Sequence, residues 1–154
     1  MDIQLSPHFR MSELVRSETA ARLGLDNWPR EPRVIENLRS TALHILEPIR
    51  VQFGIPFAPN SGYRSPEVNR ATGGSKTRQH MMGQAVDIEL PGVSNHLLAE
   101  WVRKNLQFDQ IILECYRRGI PNSGWVHIRY ASSSNRHQTL TFIQGQGYLP
   151  GFVI

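Results

Sequence analysis

Apolar positions along the chain fall into two rhythms. From Pro32 onward, Val34, Leu38, Ala42, Ile45, Ile49 and Phe53 recur at intervals of three and four, the spacing of one buried helical face, and Pro48 inside the run predicts a kink or an early end. A shorter helix is expected over 12–23, with Ser12 as N-cap and Leu14, Val15, Ala20 and Leu23 as its stripe before Gly24; "NWPREP" then breaks it. After an extended stretch over 57–63, "SPEVNRATGG" predicts a two-turn helix, with Ser65 as cap, Pro66 as first helical residue and Gly73 as the left-handed stop. A further helix follows Ser94, with Leu97, Leu98, Trp101, Val102 and Leu106 apolar. The second rhythm has period two. It marks "AVDIEL", stopped by Pro91-Gly92, and then "FDQIILECY" and "GWVHIRYA", joined by the turn-rich "RRGIPNS"; the tail "HQTLTFIQGQGYLPGFVI" holds one weaker strand. No repeat or low-complexity segment interrupts this pattern.

Composition narrows the classes. The 154 residues, 40% of them apolar, suit one compact domain spanning 1–154. The net charge of +4 comes almost wholly from arginine, since only two of the 17 basic residues are lysine, and it is scattered without a basic block. An acidic partner fits this charge. A nucleic-acid-binding module fits poorly, because no basic stripe with interleaved aromatics is present. The single cysteine, Cys115, excludes an internal disulfide and a cysteine-based zinc cage, so any metal must be held by histidine and carboxylate. No 18-residue apolar run exists, and the first residues lack the basic and apolar regions of a signal peptide; the expectation is cytoplasmic synthesis, no membrane insertion and a monomer.

The stretch "HMMGQAVDIEL" sets His80 seven residues before Asp87, at the mouth of a strand. Such a pair is common by chance. A third group changes the reading: His127 lies inside "WVHIRY", on one strand face with Trp125 and Arg129, where an imidazole without a partner or a metal would be costly to bury. If the strands of Asp87 and His127 are near neighbours, their side chains converge, with His80 delivered by the loop before. A His-Asp-His set with an open fourth position is the pattern of a catalytic zinc rather than a structural one. Arg64, just ahead of the Pro66 helix, could grip a carboxylate with its guanidinium fork.

These segments resemble a known family. "SGYRSPEVNRATGGSKTRQHMMGQAVDIEL", then "FDQIILE" and "GWVHIRY", are similar to the zinc D-Ala-D-Ala carboxypeptidases among murein peptidases, a family that includes L-alanyl-D-glutamate endopeptidases of phage lysins. The resemblance runs from about Leu5 to Arg136. It implies an α+β fold of the hedgehog/DD-peptidase kind, a small antiparallel sheet packed against helices, with zinc on His80, Asp87 and His127 and peptidoglycan stem peptide as substrate. It also implies that Arg64 holds the substrate's carboxylate or scissile carbonyl. Two positions depart from the family pattern: Arg78 stands where relatives carry serine, and Gly124 where many carry the carboxylate that serves as general base. Glu114, ending "FDQIILE", is the expected substitute, with Glu89 and Asp109 as rivals. The alternative is a zinc-binding relative without activity, structural or carried on a virion, in which the base was lost at Gly124. His8, His44, His96 and His137 lack ligand spacing and are expected to play no part in the site, and Cys115 is expected to be a small buried hydrophobe.

Overall fold

The computed structural model describes residues 2–73 and 78–154. The side chain of Arg78, and with it the subsite contact at issue there, lies outside what is described. The fold is α+β, as the sequence suggests. A two-stranded ribbon, β1 (Gln4–Ser6) and β2 (Phe9–Arg10), precedes the helices α1 (Met11–Leu14), α2 (Glu18–Leu23), α3 (Pro32–Thr41), α4 (Glu47–Phe53), α5 (Pro66–Ala71) and α6 (Arg78–Met81). Then come β3 (Ala85–Ile88), α7 (Asn95–Asn105), β4 (Gln110–Glu114), β5 (Trp125–Arg129), β6 (Gln138–Ile143) and β7 (Gly147–Pro150). The last five strands form one sheet in the order β3-β5-β4-β6-β7, antiparallel except where β6 runs parallel to β4.

The expected single helix over 12–23 is two helices. Ser12 is inside α1 and its hydroxyl donates to Asp2; the working cap is Ser17, which accepts from the Ala20 amide. The break frees the Leu14 carbonyl to accept from the Tyr63 amide at 2.8 Å, tying the N-terminal helices to the segment that carries Arg64. Leu23, expected on the apolar stripe, is exposed.

The long run from Pro32 is continuous, and Pro48 neither ends nor breaks it. The helix widens into a π-turn over Ala42–Leu46 just before the proline. Proline has no amide hydrogen to give and its ring crowds the carbonyl one turn back, and a wider turn accommodates both. The added residue brings Ile45 and Leu46 together into the core, alongside Val34, Leu38, Ala42 and Ile49. The run stops at Gly54, which has φ +65°.

On α5, Ser65 accepts from the Val68 amide, Pro66 takes the first position and Gly73 is left-handed, as the capping pattern predicts. On α7, Leu98 and Val102 are buried, Trp101 packs edge-on against Phe53, and Leu97 faces outward. Val86 and Ile88 of β3, Ile111 and Leu113 of β4, and Val126 and Ile128 of β5 face this helical layer and are buried with it. The alternate residues on these strands face away from the helices, and that second face carries the chemistry. The tail adds two strands where one was expected, since the "GQG" turn folds β7 back on β6.

Candidate metal centre

The register of β3 on β5 pairs Asp87 with His127 directly. Both side chains therefore rise from the same face, and His127 Nδ1 lies 2.9 Å from Asp87 Oδ1. His80 arrives on α6, a helical turn where a loop was expected, and its Nε2 is 3.4 Å from Asp87 Oδ2. One ligand atom from each of His80, Asp87 and His127 lies within 4.8 Å of the others, and all three residues are buried. The two rings meet edge-on with centroids 5.3 Å apart. The structure thus brings together the three residues read as ligands.

Each imidazole has an acceptor on its far side. His80 Nδ1 is 2.7 Å from the Gly62 carbonyl, and His127 Nε2 is 2.8 Å from Gln79 Oε1. A nitrogen that donates outward reserves the opposite nitrogen, which here faces Asp87, for a metal, and this is how metal-ligating histidines are oriented. Gly62 can reach its place only because it has no side chain: a Cβ there would stand 2.4 Å from the Leu14 carbonyl oxygen. Burial works against the charge on Asp87, but hydrogen bonds from His127 and His80 and their positive charge outweigh it and hold its carboxyl well below the usual range. The donor set of two imidazoles and one carboxylate, all converging and each oriented from behind, fits a zinc ion with one position open.

The strand-like segment at Asn60 and Ser61 lies on the free edge of β3. The Asp87 carbonyl accepts from the Asn60 amide, and the Asp87 amide donates to the Ser61 carbonyl, both at 2.8 Å. Arg64 follows and is more committed than the sequence suggests: its Nε donates to Ser61 Oγ at 3.0 Å and its Nη2 to Asp87 Oδ2 at 3.3 Å. Two of its five donors are so engaged, and the side chain is 18% exposed in the lining of the cleft, leaving donors for an oxygen brought in from solvent.

The cleft has a volume of about 510 Å³ and is lined by the three ligand residues, Arg64, Gln79, Gln110, Ile112, Glu114, Trp125, Leu140 and Tyr148. Glu114 pairs across the ladder with Trp125, and Ile112 with His127, so Glu114 sits diagonally from His127 on the cleft face. Burial first, and then the Glu114 carboxylate, push the Tyr148 phenol up, consistent with the two sharing this wall. The rivals are placed otherwise. Glu89 is exposed and accepts from Asn60 Nδ2 at 2.9 Å, whereas Asp109 is buried in ion pairs with Arg129 and Arg136. Cys115 is half-buried in a left-handed turn after β4 rather than on a strand face, and burial followed by the Glu114 charge pushes its thiol up. It is a poor nucleophile there.

The remaining histidines lie elsewhere. His8 pairs with Glu47, His44 stacks on Tyr130, His96 approaches Phe152, and His137 bonds Gln107.

Residues 7–129 match the sequence model of the family described as Peptidase M15. The chain belongs to the peptidase M15 family. No curated protein matches it significantly. Membership indicates a metallopeptidase, and the match includes every residue of the M15 chain that converges on the cluster. It stops at Arg129, so Leu140 and Tyr148, from the β6–β7 hairpin, add to the cleft a wall that the matched region does not contain. Among the described residues, no helix is long and apolar enough to cross a membrane.

Gln79 is a residue of this site to which the sequence does not point. Its type and spacing carry no signal, because an amide next to a ligand histidine is ordinary; only the closeness of α6 to β5 reveals its contact with His127.

Proposed function

We propose that this chain is a zinc-dependent peptidase that hydrolyses an amide bond in peptidoglycan stem peptides. The observation that carries the reading is the convergence of His80, Asp87 and His127 at the floor of a cleft that also holds Arg64 and Glu114. Zinc held by those three residues would polarise a scissile carbonyl and make a water molecule easier to deprotonate at neutral pH. Arg64 orients the substrate through a carboxylate or the scissile carbonyl and offers its remaining donors to the charge that develops on oxygen. Glu114 accepts a proton from the attacking water and passes it to the leaving amine. Trp125, Ile112 and Leu140 form an apolar wall that limits water around the reacting groups.

The non-catalytic alternative arose because no carboxylate stands at Gly124. Glu114 in the same cleft supplies one, which favours the enzyme.

The test is mass spectrometry of purified muropeptides digested by zinc-loaded protein. The expected result is a zinc-dependent mass loss, whose size identifies the bond cut as terminal or internal to the stem. Intact muropeptides from a fully zinc-loaded, folded preparation would overturn the proposal.

A further inference from the structure

An imidazole can ligate through either ring nitrogen, and the group behind it decides which one is available. At His127 the Nδ1 atom faces Asp87, inside the cluster, and the Nε2 atom meets the side-chain carbonyl oxygen of Gln79 at 2.8 Å. A carbonyl oxygen accepts and cannot donate, so this contact keeps a proton on Nε2, and a metal entering beside Asp87 would take the place of the proton that Nδ1 now gives that carboxylate. His80 is set the opposite way, with Nδ1 toward the Gly62 carbonyl and Nε2 toward Asp87.

Given the zinc reading above, on which this rests, we infer that Gln79 is a positioning residue that fixes the tautomer and ring orientation of His127, so that His127 ligates through Nδ1.

Two further observations support the assignment. Gln79 neighbours His80 on α6, so the same helical turn delivers one ligand and orients another, and displacement of that turn would weaken both. The turn is itself anchored, because the Gln79 carbonyl accepts from the Gln84 amide at 2.9 Å and the Gln84 carbonyl accepts from the Tyr130 amide at 2.9 Å, one residue past β5. The acceptor for His127 is thus tied to the strand that carries His127.

The experiment uses the full chain, stripped of metal and titrated with zinc against a competing chelator, as wild type, Gln79→Leu and Gln79→Glu. Gln79→Leu removes the acceptor and is expected to weaken zinc binding about 10–100-fold, the range for loss of a ligand's outer partner. The thermal midpoint of the metal-free protein should stay at the wild-type value. Gln79→Glu keeps an acceptor oxygen at the same reach and should recover most of the loss. Long-range proton–nitrogen NMR of the zinc-loaded wild type should show His127 protonated at Nε2. Wild-type zinc affinity in Gln79→Leu, equal losses in the Leu and Glu variants, or a proton on Nδ1 of His127 would each overturn the inference. Failure of the wild type to take up zinc would instead overturn the metal reading and this inference with it, whereas the other outcomes leave the metal reading standing.

Discussion

Gly124 faces Glu114 so closely that a Cβ on the glycine would stand 1.7 Å from the Glu114 carbonyl oxygen. The glycine also has φ +66°, a conformation that other residues adopt at a cost. No carboxylate can stand at position 124 in this backbone, so the acidic residue that many relatives carry there has no place in this turn. Gly124→Ala is predicted to cost about 3 kcal/mol or more, combining the strained dihedral with a backbone clash. Urea unfolding checks it, and a wild-type midpoint would show that the turn can relax.

Glu114→Gln should keep the fold and the bound zinc, because the amide is nearly isosteric, yet lose most of kcat together with the acidic limb of the pH profile. Glu89→Gln is the control and should remain active, since Glu89 is engaged with Asn60 away from the cleft. A pH–rate profile on both variants decides between them. Activity in Glu114→Gln with none in Glu89→Gln would move the proton transfer to the end of Asp87's own strand.

Arg64→Ala should lose about 10²-fold or more in kcat/KM, the scale of removing a charged contact to a developing oxyanion. Because Nη2 also reaches Asp87, some loosening of zinc is expected, smaller than in His127→Ala. Arg64→Lys should recover the rate only in part, as an ammonium cannot span Ser61 and Asp87 while also binding substrate. Wild-type kinetics in the alanine variant would reduce Arg64 to a structural role.

Asp109 gives the fold an acid-sensitive tie. The hydrogen bond from Arg136 comes first, and despite burial it joins those from the Arg136 amide and Arg129 in holding the carboxyl below its ordinary value. A depressed folded pKa contributes stability that is complete above the unfolded value, near 4, and is lost as pH falls below it. The wild type should therefore lose thermal stability below about pH 4. Asp109→Asn should be less stable at pH 7, on the order of 2–3 kcal/mol, with a flatter acid dependence; the figure is set below that of a fully buried pair because Arg136 is half exposed. Parallel melting curves at pH 3 and pH 7 for the two proteins would expose an error in this assignment.

The parts of this fold legible in the sequence were those with a long, strong period. The helical face from Val34 to Ile49 and the strands bearing Asp87 and His127 follow directly from where apolar side chains must go. Once β3 and β5 are paired, the meeting of Asp87 with His127 follows from register, and α6 adds His80. What escaped arose from contacts between segments or from local conflicts that no periodicity records. The break after α1 serves the Leu14–Tyr63 bond, the π-turn resolves a local conflict at Pro48, and the left-handed turn at Gly124 reflects the approach of Glu114, none of which has a spacing to read. Arg64 was expected to act on substrate alone, and its hydrogen bond to Asp87 appears only when the Ser61 segment is laid along β3.

The most direct test of the metal centre is a zinc titration of metal-free protein, followed by elemental analysis after dialysis, for wild type, His127→Ala and His96→Ala. The wild type and His96→Ala should retain about one zinc per chain, as expected for a three-ligand site with one open position, and His127→Ala should lose most of it. No zinc uptake by folded wild type, or loss of zinc in His96→Ala with retention in His127→Ala, would contradict the assignment of His80, Asp87 and His127.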